Sequence, residues 1–245
     1  MSGRATGATA MRVLVQLRRD PRTVALLLGV PIGLVTLLKY LFADEALVFQ
    51  RIGGPLLGLF PFVSMFVVTS ITMLRERTSG TLERLMTLPL AKLDLLVGYA
   101  AAFAVVAAVQ AALVSTVAFA GLDLRVEGHR WAVAALALAN AELGMALGLL
   151  VSAFARTEFQ AVQFMPAFVL PQILLCGLIV PRDRMARALE LASDALPLTY
   201  SYDALARVTD GSALGPRFAV DVAVTLGGIG LALALGAATL RRRTD

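Results

Sequence analysis

The chain has 245 residues, of which 58% are hydrophobic and only 16% are charged, with 22 basic and 17 acidic side chains. Soluble domains carry charge on about a quarter of their residues, so this composition argues against a soluble globular protein. The one cysteine, Cys176, excludes a disulfide framework within the chain and a cysteine-rich metal site. The basic excess is spread between long apolar runs and does not indicate nucleic-acid binding.

The segment before the first apolar run predicts a helix that lies in the membrane plane. Its side chains fall at suitable positions, with Met11, Leu14 and Val15 on one face and Arg12, Arg18 and Arg19 near the headgroups. Pro21 ends the segment, and a plain juxtamembrane anchor is equally compatible with it. A removable signal peptide is the competing interpretation, but no small-residue cleavage site follows the first run.

Six runs are long and apolar enough to cross a bilayer as helices, because each crossing needs about 20 residues. They are residues 23–42, 53–74, 95–120, 131–155, 159–180 and 222–240. Only helices and closed barrels satisfy every backbone polar group in hydrocarbon, and continuous apolar runs exclude a barrel. The sequence therefore predicts an all-α integral membrane protein with six transmembrane helices in a single domain, residues 1–245.

The distribution of basic residues indicates how the chain is oriented. If both termini are cytoplasmic, thirteen of the twenty-two basic residues lie on the cytoplasmic side. Five of the other nine fall in one long outer stretch, where such a count is least reliable. We expect a multi-pass protein of the cytoplasmic membrane with both ends in the cytoplasm.

Glycines four residues apart within a span can let helix backbones approach closely. Three such pairs occur, namely Gly29 with Gly33, Gly54 with Gly58, and Gly144 with Gly148. Chance is an equally good account of any single pair in a glycine-rich apolar chain.

Residues 75–90, between the second and third runs, form a polar insertion on the predicted cytoplasmic side. Ser79 and Gly80 can cap a short helix, Glu83 falls in its first turn, and Pro89 stops it. The apolar face of that helix would consist of Leu82, Leu85 and Met86. Such a helix could fit the groove of a partner protein, or it could pack on its own bundle.

A second informative stretch, residues 181–216, lies between the fifth and sixth runs. It predicts two short outer helices, because Met185, Leu189, Ala192 and Leu196 repeat at helical spacing and Pro197 interrupts the pattern.

Residues 80–85, Gly-Thr-Leu-Glu-Arg-Leu, follow an Arg/Glu-rich stretch and precede Pro89. This segment resembles the signature of permease subunits of ABC-2 type exporters, including daunorubicin-resistance-like and lipo-oligosaccharide exporters. Residues 196–205, LPLTYSYDAL, are similar to a segment that those permeases carry before their last crossing. Many members have Asn ahead of the proline, where this chain has Ala195 and Leu196.

The resemblance covers essentially the whole chain and implies roles for specific residues. The residues expected to couple the chain to an ATPase are Arg75, Glu76, Arg77, Gly80, Thr81, Leu82, Glu83, Arg84 and Pro89. The outer-segment motif consists of Pro197, Tyr200 and Asp203. The implied partners are a separate ATPase subunit that carries ATP and Mg²⁺, and a second permease copy, in a homodimer or a heterodimer.

The chain is not itself expected to hydrolyse ATP or to act as an enzyme. Lys39 and Lys92 lack the glycines of a phosphate-binding loop, and the sequence has no catalytic or metal-ligand pattern. We therefore expect the permease subunit of an exporter of drug, lipid or glycan-type cargo, with no cofactor of its own. An ion- or proton-coupled secondary transporter and a membrane scaffold without transport are the alternatives.

Glu142 lies near the middle of the fourth run, where an acidic side chain costs about 3 kcal/mol and by default suggests a function. Together with the nearby Asn140 it is the candidate for a translocation path. The alternative is a Glu that fastens neighbouring helices together.

Overall fold

The protein folds into a bundle of helices. The computed structural model describes residues 3–81, 92–212 and 214–239. The helices in these ranges are α1 (Gly3–Arg18), α2 (Pro21–Leu41), α3 (Ala46–Thr78), α4 (Lys92–Thr116), α5 (Arg130–Val151), α6 (Glu158–Leu175), α7 (Arg187–Asp194), α8 (Pro197–Thr209) and α9 (Pro216–Thr239). A π-helical turn, Val117–Gly121, extends α4, and a 3-10 turn, Arg182–Arg184, precedes α7. The described residues contain no strand, so the all-α prediction is confirmed.

Five of these helices are long and apolar enough to cross a membrane. They are α2, α3, the continuous segment Val97–Gly121, α5 and α9. The predicted fifth run, residues 159–180, is different, because its helix α6 has 18 residues and spans only about 27 Å. It ends at Leu175, and Gly177 just beyond it has a φ of 104°, which a right-handed helix cannot contain.

Other helix boundaries differ from the predicted runs because a helix does not end where hydropathy falls. The second predicted run begins at residue 53, whereas α3 begins at Ala46 and includes the polar Gln50 and Arg51. The fourth predicted run reaches residue 155, but α5 ends at Val151. The last run begins at residue 222, whereas α9 starts at Pro216, and residue 240 lies outside the described part of the chain.

The centre of the bundle is the pair α3 and α5, which share the most extensive helix contact. The backbones come close because Gly144 lies against the carbonyl of Phe62 and Gly148 against that of Phe66. Gly54 and Gly58 similarly admit side chains of α8. By contrast, a methyl group added at Gly29 or Gly33 of α2 would meet no atom of the described residues within 4 Å outside the backbone of its own helix.

The bundle has two ends, which we name after the residues found there. At the Arg75 end, the side chain of Arg75 pairs with Glu158 at the start of α6. At the Gln50 end, Gln50 donates to the carbonyl of Asp123 at 3.0 Å. Both ends are therefore closed by side-chain contacts between different helices.

Helix α8 lies inside the bundle, although the sequence predicts an outer helix. Its first residue, Pro197, packs beside Gly228, about 18 Å along α9 from Pro216. Its last residue, Thr209, lies at the Gln50 end, where its carbonyl accepts from the amide of Glu127 at 3.0 Å. The helix is therefore re-entrant, with its N-terminal end deep in the bundle and its C-terminal end near the surface.

Candidate coupling site and groove

Helix α3 carries the first part of the predicted coupling segment. It ends at Thr78, and Ser79 and Gly80 follow in a turn in which Gly80 has a φ of 72°, a left-handed conformation that suits glycine. The Ser79 hydroxyl lies 2.9 Å from that of Thr81. The remaining coupling residues predicted from sequence, Leu82, Glu83, Arg84 and Pro89, lie outside the described residues.

Arg75 ties the end of α3 to the start of α6. Its Nε donates to Glu158 Oε1 at 2.7 Å and its Nη2 to Oε2 at 3.0 Å, which is a bidentate pair. Both side chains are about half exposed, at 56% and 51%, so the pair contributes little to stability. Its effect is therefore to set the geometry at the Arg75 end.

Glu76, the next residue, is buried and binds α1. Both of its carboxylate oxygens accept from Arg12 Nη1 at 3.3 Å, and Gln16 donates to Oε1 at 3.2 Å. Arg12 also donates through Nη2 to the hydroxyl of Tyr99 on α4. Sequence reasoning placed Arg12 near the headgroups and missed this contact, because its two partners are 64 and 87 residues away and no local pattern marks them.

The other predicted residues of the described segment have fewer contacts. Arg77 is half-buried, and its Nε has no hydrogen-bond partner within the described residues. Gly80 and Thr81 are partly exposed. The segment is therefore held through Arg75 and Glu76, and the residues after them are less constrained.

A large groove runs along α3 between α2 and α6. Its volume is about 1230 Å³, and Leu56 and Ser79 mark its extent along α3. These two residues are about 35 Å apart along the helix axis, which is close to the thickness of a bilayer core. The groove thus extends along a length that matches a membrane crossing.

The lining of the groove changes along its length. Apolar side chains form most of its walls, for example Leu26, Val30 and Leu34 from α2 and Leu59, Val63 and Val67 from α3. Polar and charged groups collect at the Arg75 end, where Gln16, Asp20 and Glu76 line it. The Thr23 hydroxyl and amide donate to Asp20 and lower the pKa of that carboxyl.

The predicted path residues, Asn140 and Glu142, do not line this groove. Asn140 is buried, where its Oδ1 accepts from the Ser201 hydroxyl of α8 at 2.6 Å and its Nδ2 donates to the Leu136 carbonyl at 3.2 Å. Asn140 therefore fastens α8 to α5. Glu142 is partly exposed and lies on another face of α5.

The three residues of the outer-segment motif occupy different positions on α8. Pro197 is the first residue of the helix, and the Tyr200 hydroxyl donates to the Asp194 carbonyl at 2.8 Å. Asp203 accepts from Arg182 at 3.4 Å. Burial raises the pKa of Asp203, and the positive charge of Arg182 opposes that shift.

The described residues contain no cluster of three His, Cys, Asp or Glu side chains that could hold a metal ion. The site therefore consists of a charged contact region at the Arg75 end and an apolar groove beside it.

A sequence profile of the family described as "ABC-2 type transporter" matches residues 4–208. The chain belongs to the ABC-2 type transporter family. The matched region includes nearly all of α1 and of α8, together with the described part of the coupling segment and the groove. The resemblance to these permeases that the sequence motifs indicate is therefore confirmed.

Two curated relatives support membership of the ABC-2 family. The chain is 24% identical over 147 residues to "ABC transporter G family member 20" of Dictyostelium discoideum, which covers 60% of this chain and 20% of that protein. It is 29% identical over 133 residues to "Probable multidrug ABC transporter permease YbhR" of Escherichia coli K12, which covers 53% of this chain and 35% of that protein. The matched regions are thus a fifth and about a third of these relatives.

Proposed function

We propose that this chain is the membrane-spanning permease subunit of an ATP-driven exporter and that residues 75–90 couple it to a separate ATPase subunit. The observation that carries this proposal is the anchoring of the end of α3 by the first two residues of this segment. Arg75 binds α6 and Glu76 binds α1 and, through Arg12, α4. A force applied to residues after Thr81 would therefore reach four helices of the bundle.

In this proposal the Arg75 end faces the cytoplasm and both termini lie there, in the cytoplasmic membrane. Basic side chains support this orientation, because Arg18, Arg19, Arg22 and Arg156 are all exposed next to helix ends at this side. Helix α6 supplies the sixth crossing together with the residues after Leu175. ATP and Mg²⁺ belong to the partner ATPase.

The groove between α2, α3 and α6 is the proposed path for cargo. Its apolar walls and polar Arg75 end match an amphipathic molecule whose polar group remains near the headgroups. A molecule that moves along α3 would stay in contact with apolar side chains over the length of a crossing. The proposed cargo is therefore an apolar or amphipathic compound of the drug or lipid type.

A second permease copy would complete the transporter. The outward face of α6 supports this, since Gln163 is exposed on it. Exposed amides are unfavourable against lipid, where polar side chains seek partners on neighbouring helices. The face of α2 that carries Gly29 and Gly33 is likewise free of contacts within the described chain.

The proposal is tested by purifying the native complex in mild detergent and identifying what co-purifies by mass spectrometry. We expect an ATPase with a phosphate-binding loop in near-equal amount, and we expect charge reversal of Glu83 and Arg84 to release it. The same reversal at Asp183 and Arg184, which are exposed in the turn after α6, is the matched control. Recovery of the chain alone, with ion-driven flux in liposomes, would instead support a secondary transporter.

A further inference from the structure

Glu142 lies near the middle of a membrane-spanning helix, at a depth where a charged group needs a partner. It is about 18 Å along α5 from Arg130 and about 14 Å from Val151. Its carboxyl group makes no hydrogen bond or ion pair with any residue in the described ranges, and its side chain is only partly buried. Ionisable side chains within a membrane almost always pair with another group. The carboxyl group of Glu142 therefore indicates a partner that the described residues do not supply.

The packing of α5 places Glu142 between α4 and α9. On one side, Met145 shares a buried cluster with Phe103 of α4. On the other side, Leu143 lies beside Gly228 of α9. Because a helix turns by about 100° per residue, Glu142 projects between these two contacts, on the side of α5 away from α3.

The face of α9 next to Glu142 is packed at one level and open at the next. Leu226, Gly230, Leu233 and Ala237 share this face, because they follow one another at helical spacing. Leu233 and Ala237 pack against the buried cluster of α4 and α5. Nearer the Gln50 end, Leu226 is 52% exposed, and a methyl group added at Gly230 would meet no atom of the described residues within 4 Å outside the backbone of its own helix.

Helices α4 and α9 therefore enclose a crevice that closes towards the Arg75 end. Their direct contact is slight, and it involves the level of Leu233 and Ala237. Leu226 and Gly230 lie within one turn of Gly228, which is at the depth of Leu143 and so of Glu142. An acidic side chain thus stands where the crevice ends, in otherwise apolar surroundings.

The shape and charge of this crevice fit a helix that carries a basic residue. A glycine on the face of a span lets another helix backbone approach closely. A lysine or arginine at mid-depth would compensate the carboxylate, whereas the ammonium groups of lipids lie at the membrane surface, about 15 Å away. A second copy of this chain does not provide this residue, because the basic side chains of its described spans lie within two turns of a helix end.

We propose that the crevice between α4 and α9 is a docking site for a transmembrane helix of another polypeptide, which carries a lysine or arginine at the depth of Glu142. This partner differs from the ATPase and from the second permease copy of the proposed function. The surface proposed for the second copy lies on α2 and α6, so the two contacts use different helices. The inference does not depend on either of those partners.

A synthetic peptide tests the site in the full-length permease, reconstituted in phosphatidylcholine liposomes. The probe is a tryptophan-free leucine–alanine transmembrane peptide with one central lysine and a dansyl group at each end. Trp131 is the one tryptophan of the chain, is 72% exposed and lies on the Glu142 face of α5, about 16 Å away. Energy transfer from Trp131 to dansyl therefore reports binding. We expect saturable transfer with the lysine peptide and only non-saturable transfer with a peptide that has a central leucine.

Three substitutions test which residues form the site. Glu142→Leu is expected to weaken binding of the lysine peptide roughly tenfold, the effect of losing one polar pair within a membrane. Its melting temperature should not fall, because the carboxyl group has no partner among the described residues. Gly230→Leu fills the crevice and should also weaken binding. Gly33→Leu adds the same side chain to an open glycine of α2 and is the matched control, with unchanged binding. If Glu142→Leu does not reconstitute, Glu142→Gln removes the charge at nearly constant shape and replaces it.

The inference is overturned if the lysine and leucine peptides bind alike, or if Glu142→Leu binds the lysine peptide as the wild type does. It is also overturned if Glu142→Leu lowers the melting temperature, because the carboxyl group then fastens its own bundle. Binding of the lipophilic cation tetraphenylphosphonium that depends on Glu142, without binding of the lysine peptide, would assign the crevice to a small molecule instead. These outcomes are distinct from failure of the proposed function, which is the absence of a co-purifying ATPase.

Discussion

Gln110 of α4 donates through Nε2 to the backbone carbonyl of Leu27 in α2 at 2.6 Å. In a regular helix this carbonyl would accept from the amide of residue 31, but Pro31 has no N–H. The same Gln110 nitrogen lies 2.7 Å from the Ser64 hydroxyl of α3. One amide thus satisfies the carbonyl that the proline leaves free and joins three helices beside the groove.

Gln110→Leu keeps the approximate size of the side chain but removes this donor. We expect a loss of stability of about 1–2 kcal/mol, because the Leu27 carbonyl is left without a partner in an apolar environment. The measurement is the apparent melting temperature of the purified protein in detergent. Gln172→Leu is the control, since within the described residues the Gln172 nitrogen donates to a carbonyl of its own helix, that of Phe168.

Pro31→Ala provides a second test of the bond between Gln110 and the Leu27 carbonyl. Alanine supplies a backbone N–H at position 31, so the Leu27 carbonyl regains a donor within α2. Gln110→Leu should therefore cost less in the Pro31→Ala background than in the wild type. Equal costs in the two backgrounds would show that Gln110 stabilises the bundle by some route other than this carbonyl.

Alanine substitution is expected to have different effects on stability at Gly144 and at Gly33. Gly144→Ala would place a methyl group against the Phe62 carbonyl, and overpacking of this kind costs about 1–3 kcal/mol. Gly33→Ala meets no atom of the described residues within 4 Å outside the backbone of its own helix, so it should not lower the melting temperature of the monomeric permease. Both are compared in detergent by thermal unfolding. Equal destabilisation by the two substitutions would contradict the packing of α3 against α5.

The glycine pairs also illustrate what the sequence could predict. Spacing within a span places two glycines on one helix face, and for Gly54 with Gly58 and Gly144 with Gly148 that face lies against another helix. Gly29 and Gly33 have the same spacing without a neighbour in the described chain. Spacing fixes the face of a helix, whereas the neighbour of that face depends on how the helices assemble.

The candidate site shows the same difference between what a local pattern predicts and what depends on how the helices assemble. The local pattern predicted a polar segment that begins at Arg75, with Ser79 and Gly80 capping the start of a separate short helix. In the structure α3 continues past the predicted end at residue 74 to Thr78. The contacts of that segment with Arg12, Tyr99 and Glu158 are long-range and leave no local signal. The groove was also not predicted, because a cavity between helices depends on their packing and not on the composition of any one helix.

Asp203 predicts a pH dependence of stability. Burial raises the pKa of its carboxyl above the ordinary value of 3.8, so the folded protein binds this proton more tightly than the unfolded chain does. The stabilisation that the Asp203 carboxyl contributes is therefore fully present when the pH is below its ordinary pKa. It is lost as the pH rises through the raised pKa of the folded state. Asp203→Asn cannot titrate and should flatten this part of the profile.

The profile is measured as the apparent melting temperature in detergent from acidic to neutral pH. Asp183→Asn is the matched control, because that carboxyl is exposed in the Arg182–Arg184 turn. It should follow the wild-type profile. If the melting temperature of Asp203→Asn depends on pH as that of the wild type does, another group determines the pH dependence.

The groove predicts where a bulky side chain should interfere with binding. Val30 lines the groove and is 44% exposed, so Val30→Trp would fill space between α2 and α3 without disturbing a buried contact. Val105 of α4 is 51% exposed and does not line the groove, which makes Val105→Trp the matched control.

The probe is N-phenylnaphthylamine, a lipophilic dye whose fluorescence rises in apolar surroundings. We expect Val30→Trp to lower the saturable dye signal of the purified protein and Val105→Trp to leave it unchanged. If the saturable signal survives Val30→Trp, the dye binds elsewhere on the bundle, and the groove is not the path for cargo.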